Sequence, residues 1–183
     1  ITSTMAAFAI SAALVRRERT GEGLKLEVNM LDVGVSFLVY CLQNYLIDGV
    51  DRGRLGRFHP VIVPFGIYKA KSGYVTLGSC WPRICRTLGI DWAIDDPRFA
   101  KREERQKNKE ILNAIVEEAL SKATAEEWET LFEIDDIAGG VVKNLEEVCN
   151  DPQVLHNKII TTVEHPEYGK VRVPRTPITV AGQ

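Results

Sequence analysis

The segment from Met5 to Val15 constrains this sequence most, because it is apolar almost all round. A surface helix carries a polar face, whereas a helix that is apolar all round is packed inside a domain. Such a helix needs covering layers on several sides. The mostly polar residues that follow do not supply them all. We therefore expect Ile1 to lie inside a buried element, covered by a preceding part of a longer protein or by another chain.

Composition and charge exclude several classes of partner. The chain has 183 residues, a formal net charge of −2 and 45% hydrophobic residues. Because charges of both signs are interspersed, the sequence predicts no nucleic-acid partner and no membrane partner. The longest apolar run is shorter than the roughly 20 residues that span a bilayer. We expect a cytoplasmic protein.

The cysteines predict packing thiols rather than a metal site. Cys41, Cys80, Cys85 and Cys149 form no CxxC pair and have no histidine at metal-ligand spacing. Zinc sites show such spacings, and disulfides are rare in the reducing cytosol. We therefore expect reduced cysteines and no metal cofactor.

The N-terminal residues predict a helix, a strand and a second helix. The first helix should stop at Gly21, since glycine readily adopts the positive φ found after a helix end. Residues 24–28 alternate apolar and charged side chains, which is typical of a half-buried strand. A second helix is predicted over Met30–Asp48, with Asn29 and Asp32 in a capping arrangement at its start. This order suits the end of an α/β domain.

Residues 49–60 separate this part from the rest of the chain, because they hold three glycines, three arginines and little to bury. Beyond them, residues 65–70 and 74–78 flank a glycine turn and predict a β-hairpin. A second hairpin is predicted from residues 159–163 and 171–173. Periodicity and capping signals predict further helices. These span residues 81–88, 108–121, 124–132 and a short stretch at 145–148.

Six strings, in one order, resemble a known family. They are Arg19-Thr20-Gly21-Glu22-Gly23 leading into Leu26-Glu27-Val28-Asn29-Met30-Leu31-Asp32; Pro64-Phe65-Gly66-Ile67-Tyr68 with Gly73-Tyr74-Val75; Trp81-Pro82-Arg83-Ile84-Cys85; Asp95-Asp96-Pro97-Arg98-Phe99 with Arg105 and Asn108; Leu145-Glu146-Glu147-Val148 with Asp151-Pro152-Gln153; and His165-Pro166-Glu167-Tyr168-Gly169. Together they resemble the class III CoA-transferases, a family that includes formyl-CoA transferase, carnitine-CoA transferase and α-methylacyl-CoA racemase. The resemblance covers nearly the whole chain.

The resemblance implies the C-terminal part of a longer α/β protein with interlocked subunits. Residues 1–48 would end a Rossmann-like large domain that binds CoA, and residues 49–64 would form a linker. Residues 65–163 would form a smaller α+β domain. Residues 164–183 would return toward the large domain. The expected assembly is a homodimer, or a complex with a companion N-terminal half.

The resemblance also implies a reaction. In the family's transferases an aspartate carboxylate attacks an acyl-CoA thioester and forms a mixed anhydride, which is covalent catalysis. An ungapped alignment places that aspartate just before Ile1, so we expect no catalytic residue in this chain. The expected partners are an acyl-CoA and a carboxylic acid, with coenzyme A as a substrate. Met30 matches a methionine that lines the CoA pocket.

Two alternatives remain open at this point. The family's racemases pair the same aspartate with a histidine for proton transfer. They tend to carry a glutamate where this chain has Trp81, which favours the transferases, although the glycine-rich loop of formyl-CoA transferase is absent. The second alternative is a non-catalytic fragment that only binds or oligomerises.

Several residues also have simpler interpretations. Met30 opens an apolar helix and suits a core position equally well, and Trp81 suits a packing aromatic. The arginines at 52, 54 and 57 suit a solvated or subunit-contacting linker better than a phosphate site. His59 and His165 both precede proline, which predicts turn residues rather than catalytic bases.

Overall fold

The computed structural model describes residues 1–54 and 56–178, which divide into two compact units, residues 1–56 and 57–183. The division lies within the predicted linker, residues 49–64. Leu55 of that linker and residues 179–183 of the predicted return segment lie outside the described residues. The assignment of these units to a large and a small domain stays a prediction.

The first unit is helical and buries little of its own surface. Its helices are α1 (Thr2–Thr20), α2 (Met30–Ser36) and α3 (Val39–Asp48). The helix stop predicted at Gly21 is confirmed, because Gly21 adopts a φ of 74°, and Gly49 ends α3 in the same way with a φ of 69°. Val33 is the one buried residue among the described residues of this unit. The apolar helix α1 therefore presents its side chains outward, with Phe8 71% exposed.

Two predictions for this unit are wrong. Residues 24–28 form no strand, because a strand needs a pairing partner and the described part of this unit contains no other strand. The predicted helix over Met30–Asp48 is broken into α2 and α3, which are bent by 73°. Val39 lies at the break with φ of 41°, a conformation unfavourable for a β-branched residue. Asn29 directly precedes α2, but its Nδ2 donates to Asp32 Oδ2 at 2.9 Å, with no side-chain cap to the backbone.

The second unit contains a three-stranded antiparallel sheet in the order β1-β2-β3. Its strands are β1 (Gly66–Lys69), β2 (Tyr74–Leu77) and β3 (Gly139–Val141). The predicted first hairpin is confirmed, with Tyr68 opposite Val75 and Gly73 at φ of 76° in the turn. β3, which pairs with β2 through Val75 and Val141, was not predicted.

Helices pack around this sheet to form the hydrophobic core. They are α4 (Arg83–Thr87), a 3₁₀ turn (Asp91–Ala93), α5 (Arg102–Lys107), α6 (Lys109–Leu120) and α7 (Ala125–Ile134). The amphipathic prediction for α6 is confirmed, since Leu112, Val116 and Leu120 are fully buried. Asn113 is the buried polar side chain of this core, and its Oδ1 accepts a hydrogen bond from the Tyr68 hydroxyl at 2.7 Å.

Capping residues set the starts of the later helices. Thr124 and Asn144 each form a capping box, at α7 and at α8 (Leu145–Asn150). Asp151 caps α9 (Pro152–His156) by accepting hydrogen bonds from two backbone N–H groups. The predicted second hairpin is confirmed as β4 (Ile160–His165) and β5 (Gly169–Pro174). It runs across the predicted boundary between residues 163 and 164.

No single helix in residues 1–54 or 56–178 is long and apolar enough to cross a membrane. The bent pair of α2 and α3 reaches that length and apolar composition only when its two helices are counted together.

Candidate functional site

Met30, the predicted CoA contact, is the first residue of α2 and is 78% exposed. Its neighbour Leu31 is 75% exposed. The core interpretation of Met30 finds no support within the described residues, because the side chain faces away from any of them that would bury it. An exposed thioether at a helix start is available to a ligand, and the CoA assignment stays a prediction.

The linker arginines are partly occupied by intramolecular ion pairs. Arg52 pairs with Asp48 at 2.6 Å, and the guanidinium holds the pKa of that carboxyl below its usual value. Arg57 pairs with Glu117 at 2.7 Å and lies over the Phe58 ring. For Arg52 and Arg57 these contacts favour a role in stabilising the linker over a role in a phosphate site.

Trp81 occupies a packing position at the edge of the core. It is half-buried, and the Arg105 guanidinium lies 4.6 Å from its ring centroid, a cation–π contact. Arg105 also donates hydrogen bonds to the backbone oxygens of Phe99 and Val63. Burial lowers the pKa of Arg105. This arginine therefore binds backbone carbonyls and an aromatic ring instead of a carboxylate.

Two cysteines of the second unit lie in the hydrophobic core. Cys80 and Cys85 are buried, and Cys80 Sγ accepts a hydrogen bond from the Ala138 N–H at 3.2 Å. Burial raises the pKa of Cys85 to about 12, so that it stays protonated near neutral pH. Cys41, in the first unit, is exposed, and Cys149, in the second unit, is half-buried. The packing role predicted for the thiols fits Cys80 and Cys85.

His59 and His165 make the same local contact, and both are the turn residues that the sequence predicts. His59 Nδ1 accepts hydrogen bonds from the N–H groups of Val61 and Ile62, both at 3.1 Å. His165 Nδ1 accepts from Glu167 and Tyr168 at 3.2 and 3.4 Å. In each case the imidazole replaces a backbone acceptor in a His-Pro turn.

Sequence reasoning missed the role of α5. Gln106 Nε2 donates to the Pro60 carbonyl at 2.9 Å, and Arg105 Nε donates to the Val63 carbonyl at 3.2 Å. Two consecutive residues of a charged helix thus hold the loop of residues 59–65. The run of charges in residues 101–109 is typical of a solvated surface and gives no sign of a contact to the loop. The one sequence signal for that contact was Arg105, which belongs to one of the six strings.

The described residues bring together no metal-binding cluster of His, Cys, Asp or Glu.

An open cavity of about 350 Å³ lies beside the loop of residues 59–65, lined by Val61, Arg102, Glu103 and Gln106. The predicted catalytic aspartate would precede Ile1, and that placement stays a prediction.

Comparison with known proteins identifies the family. The profile of CoA-transferase family III matches residues 1–183. The human succinyl-CoA:glutarate CoA-transferase is 33% identical over 170 residues, which cover 91% of this chain and 39% of that protein. The acetyl-CoA:oxalate CoA-transferase of Acetobacter aceti is 29% identical, with 94% of this chain and 44% of that protein covered. The chain thus spans less than half the length of these curated relatives.

Solved structures agree with this result. The crystal structure of Rv3272 from M. tuberculosis superposes with a TM-score of 0.80 and 26% identity, covering 97% of this chain and 47% of that one. A CaiB/BaiF family protein from Brucella suis superposes with a TM-score of 0.75 and 27% identity, covering 99% and 48%. The resemblance carried by the six strings is therefore confirmed by a family match along the whole of this chain. The chain belongs to CoA-transferase family III.

Proposed function

We propose that this chain is part of an enzyme that transfers CoA from an acyl-CoA thioester to a carboxylic acid. The observation that carries the proposal is the match of the family profile along the whole chain. The named relatives are CoA-transferases that act on succinyl-CoA and glutarate, or on acetyl-CoA and oxalate. Glutarate and oxalate are both dicarboxylic acids, so we propose a dicarboxylic acid as the acceptor.

The proposed chemistry passes through a carboxylate outside this chain. An aspartate oxygen attacks the thioester carbonyl carbon, the C–S bond breaks, and the CoA thiolate leaves as a mixed anhydride forms. The thiolate then attacks the aspartyl carbonyl and releases the donor acid, leaving an aspartyl thioester. The acceptor carboxylate attacks this thioester and expels the thiolate, which finally attacks the carbonyl carbon of the acceptor and regenerates the free aspartate. The net reaction exchanges one thioester for another, with no oxidation and no net change in protons.

The chain's own contribution in this proposal is structural and substrate-binding. Met30 would supply apolar contact to CoA from the start of α2. The second unit would supply the smaller domain of the enzyme. The expected assembly is a homodimer or a complex with a companion N-terminal half.

The test incubates a full-length protein containing this chain with succinyl-CoA and glutarate in deuterated water. We expect glutaryl-CoA to form, with no deuterium entering the α-carbon, because acyl exchange needs no proton removal there. The 183-residue chain alone should give no turnover. Hydroxylamine should trap the activated carboxylate as a hydroxamate on an aspartate upstream of Ile1, detected by mass spectrometry.

Other results would redirect the proposal. Deuterium uptake and inversion with a 2-methylacyl-CoA, without exchange onto an added acid, would assign the protein to the racemases. Saturable turnover by the 183-residue chain alone would place the nucleophile within it. An inactive full-length protein that still binds acyl-CoA would support a binding function.

Replacing Met30 with alanine in the full-length protein tests the CoA contact. We expect KM for the acyl-CoA to rise about fivefold, because truncation removes apolar contact worth about 1 kcal/mol. The KM for the acid should not change. Leu31→Ala is the matched control, since Leu31 is exposed to a similar degree on the same helix turn. Equal effects of the two substitutions would remove the specific role of Met30.

A further inference from the structure

His59 stabilises the loop of residues 59–65, which helix α5 contacts from outside. Its Nδ1 accepts hydrogen bonds from Val61 and Ile62, both at 3.1 Å, and its ring stacks on Phe65 with centroids 4.7 Å apart. The His59 N–H donates to the Phe65 carbonyl at 2.9 Å. The imidazole thus closes the loop of residues 59–65 from within.

Helix α5 fixes the same loop from outside. Gln106 and Arg105 donate to the carbonyls of Pro60 and Val63, so α5 holds two of the loop's acceptors. The N–H donors of Val61 and Ile62 are held instead by His59 Nδ1. Helix α5 thus donates to carbonyls of the loop, and His59 accepts from its N–H groups. Of these contacts, only those of the imidazole respond to protonation near neutral pH.

Protonation of His59 at Nδ1 is incompatible with the two hydrogen bonds that this nitrogen accepts. A nitrogen that accepts two N–H hydrogen bonds carries no proton, so His59 is neutral with its proton on Nε2. Adding a proton to Nδ1 converts the acceptor into a donor that faces two other donors. Both hydrogen bonds must then break, and the backbone at Val61 is released.

We propose that His59 is a pH-sensitive latch, whose protonation releases residues 61 and 62 and reshapes the adjoining cavity. Val61 belongs both to the latched segment and to the wall of the cavity of about 350 Å³. Release of Val61 therefore changes the cavity directly.

The charges around the loop set the direction of the response. Burial, and then the positive charge of Arg102, lower the pKa of His59 below the ordinary histidine value. The contacts of neutral His59 are therefore fully present above the ordinary histidine range and are lost as the pH falls through the lowered pKa. The other charged groups near the loop are Glu103, which lines the cavity with Arg102; Arg105, bonded to carbonyls; and Arg57, paired with Glu117.

The chain provides a built-in comparison. His165 forms the same turn, but it is exposed, and its turn joins β4 and β5 of the second hairpin. His156, the third histidine, lies in the last turn of α9. Because the chain has only three histidines, substituting each one assigns the NMR signals of its imidazole.

The experiment combines imidazole and amide NMR on the 183-residue chain. Long-range ¹H–¹⁵N spectra should show His59 as the Nε2–H tautomer at neutral pH. Between about pH 7.5 and about pH 5, the exchange protection factors of the Val61 and Ile62 amides should fall about tenfold, as expected for the loss of a hydrogen bond. Core amides such as Val116 report any global loss of stability.

Two variants separate the latch from general acid sensitivity. In His59→Asn the side-chain oxygen accepts from the same N–H groups, as in an Asx turn, and does not titrate. This variant should keep its Val61 protection at low pH, while His165→Asn should behave as the wild type at residues 61 and 62. A proton on Nδ1 of His59 at neutral pH would overturn the proposal, even if the variants failed to fold. So would an equal fall of protection in wild type and His59→Asn.

Discussion

Phe132→Ala is expected to lower the free energy of unfolding by about 3–5 kcal/mol, the range for truncating a buried phenylalanine. Phe132 is 1% exposed on the inner side of α7, and its ring packs against Trp128 with centroids 6.1 Å apart. Truncation leaves a cavity between this helix and the sheet. Urea unfolding followed by tryptophan fluorescence measures the loss.

Leu131→Ala is the control for this substitution. Leu131 precedes Phe132 on the same helix but is 39% exposed, so its truncation should cost less than about 1 kcal/mol. If Phe132→Ala does not fold, Phe132→Leu gives a smaller measurable loss. Equal losses at positions 131 and 132 would contradict the packing of α7 described above.

Gly139→Ala is expected to cost about 3 kcal/mol, at the upper end of the range for overpacking. A Cβ atom at Gly139 would lie 2.6 Å from the Thr76 carbonyl oxygen and 3.0 Å from Cδ2 of Phe132. The first contact is with backbone of the paired strand β2, which cannot move without disturbing the sheet. The free energy of unfolding from urea titration measures this cost.

Gly140→Ala is the matched control one residue away. Its Cβ would meet only Oε1 of Glu129, at 3.1 Å, which is the end of a flexible side chain. That oxygen accepts a hydrogen bond from the Val141 N–H, so a loss of about 1 kcal/mol is expected. A Gly139→Ala protein as stable as Gly140→Ala would show that β3 does not approach β2 as closely as described.

The same glycine explains why sequence patterns missed β3. A strand is recognised by alternating or β-branched residues, and Gly139-Gly140-Val141 has neither over a useful length. The small residues are required because β3 lies between the β2 backbone and Phe132. A spatial requirement of this kind has no local periodic signal.

The elements that were predicted correctly carry local signals. The hairpin around Gly73, the amphipathic helix α6 and the Thr124 cap of α7 each depend on residues a few positions apart. The failures depend on distant partners: residues 24–28 have the strand pattern without a strand to pair with, and nothing in the apolar run of residues 30–48 marks the break at Val39.

For the site, the turn roles of His59 and His165 were predicted from the proline that follows each. The α5 contacts to the loop were not, because they join residues more than 40 positions apart.

The unequal burial in the two units separates two properties that are often treated as one. Among the described residues the first unit buries only Val33, whereas the second contains the hydrophobic core. Substitutions in that core govern stability. In the 183-residue chain by itself, substitutions at exposed apolar positions of the first unit, such as Phe8 and Ile47, are expected to change solubility and self-association, because exposed apolar surface drives association. Solubility and stability of this chain are therefore expected to respond to different sets of substitutions.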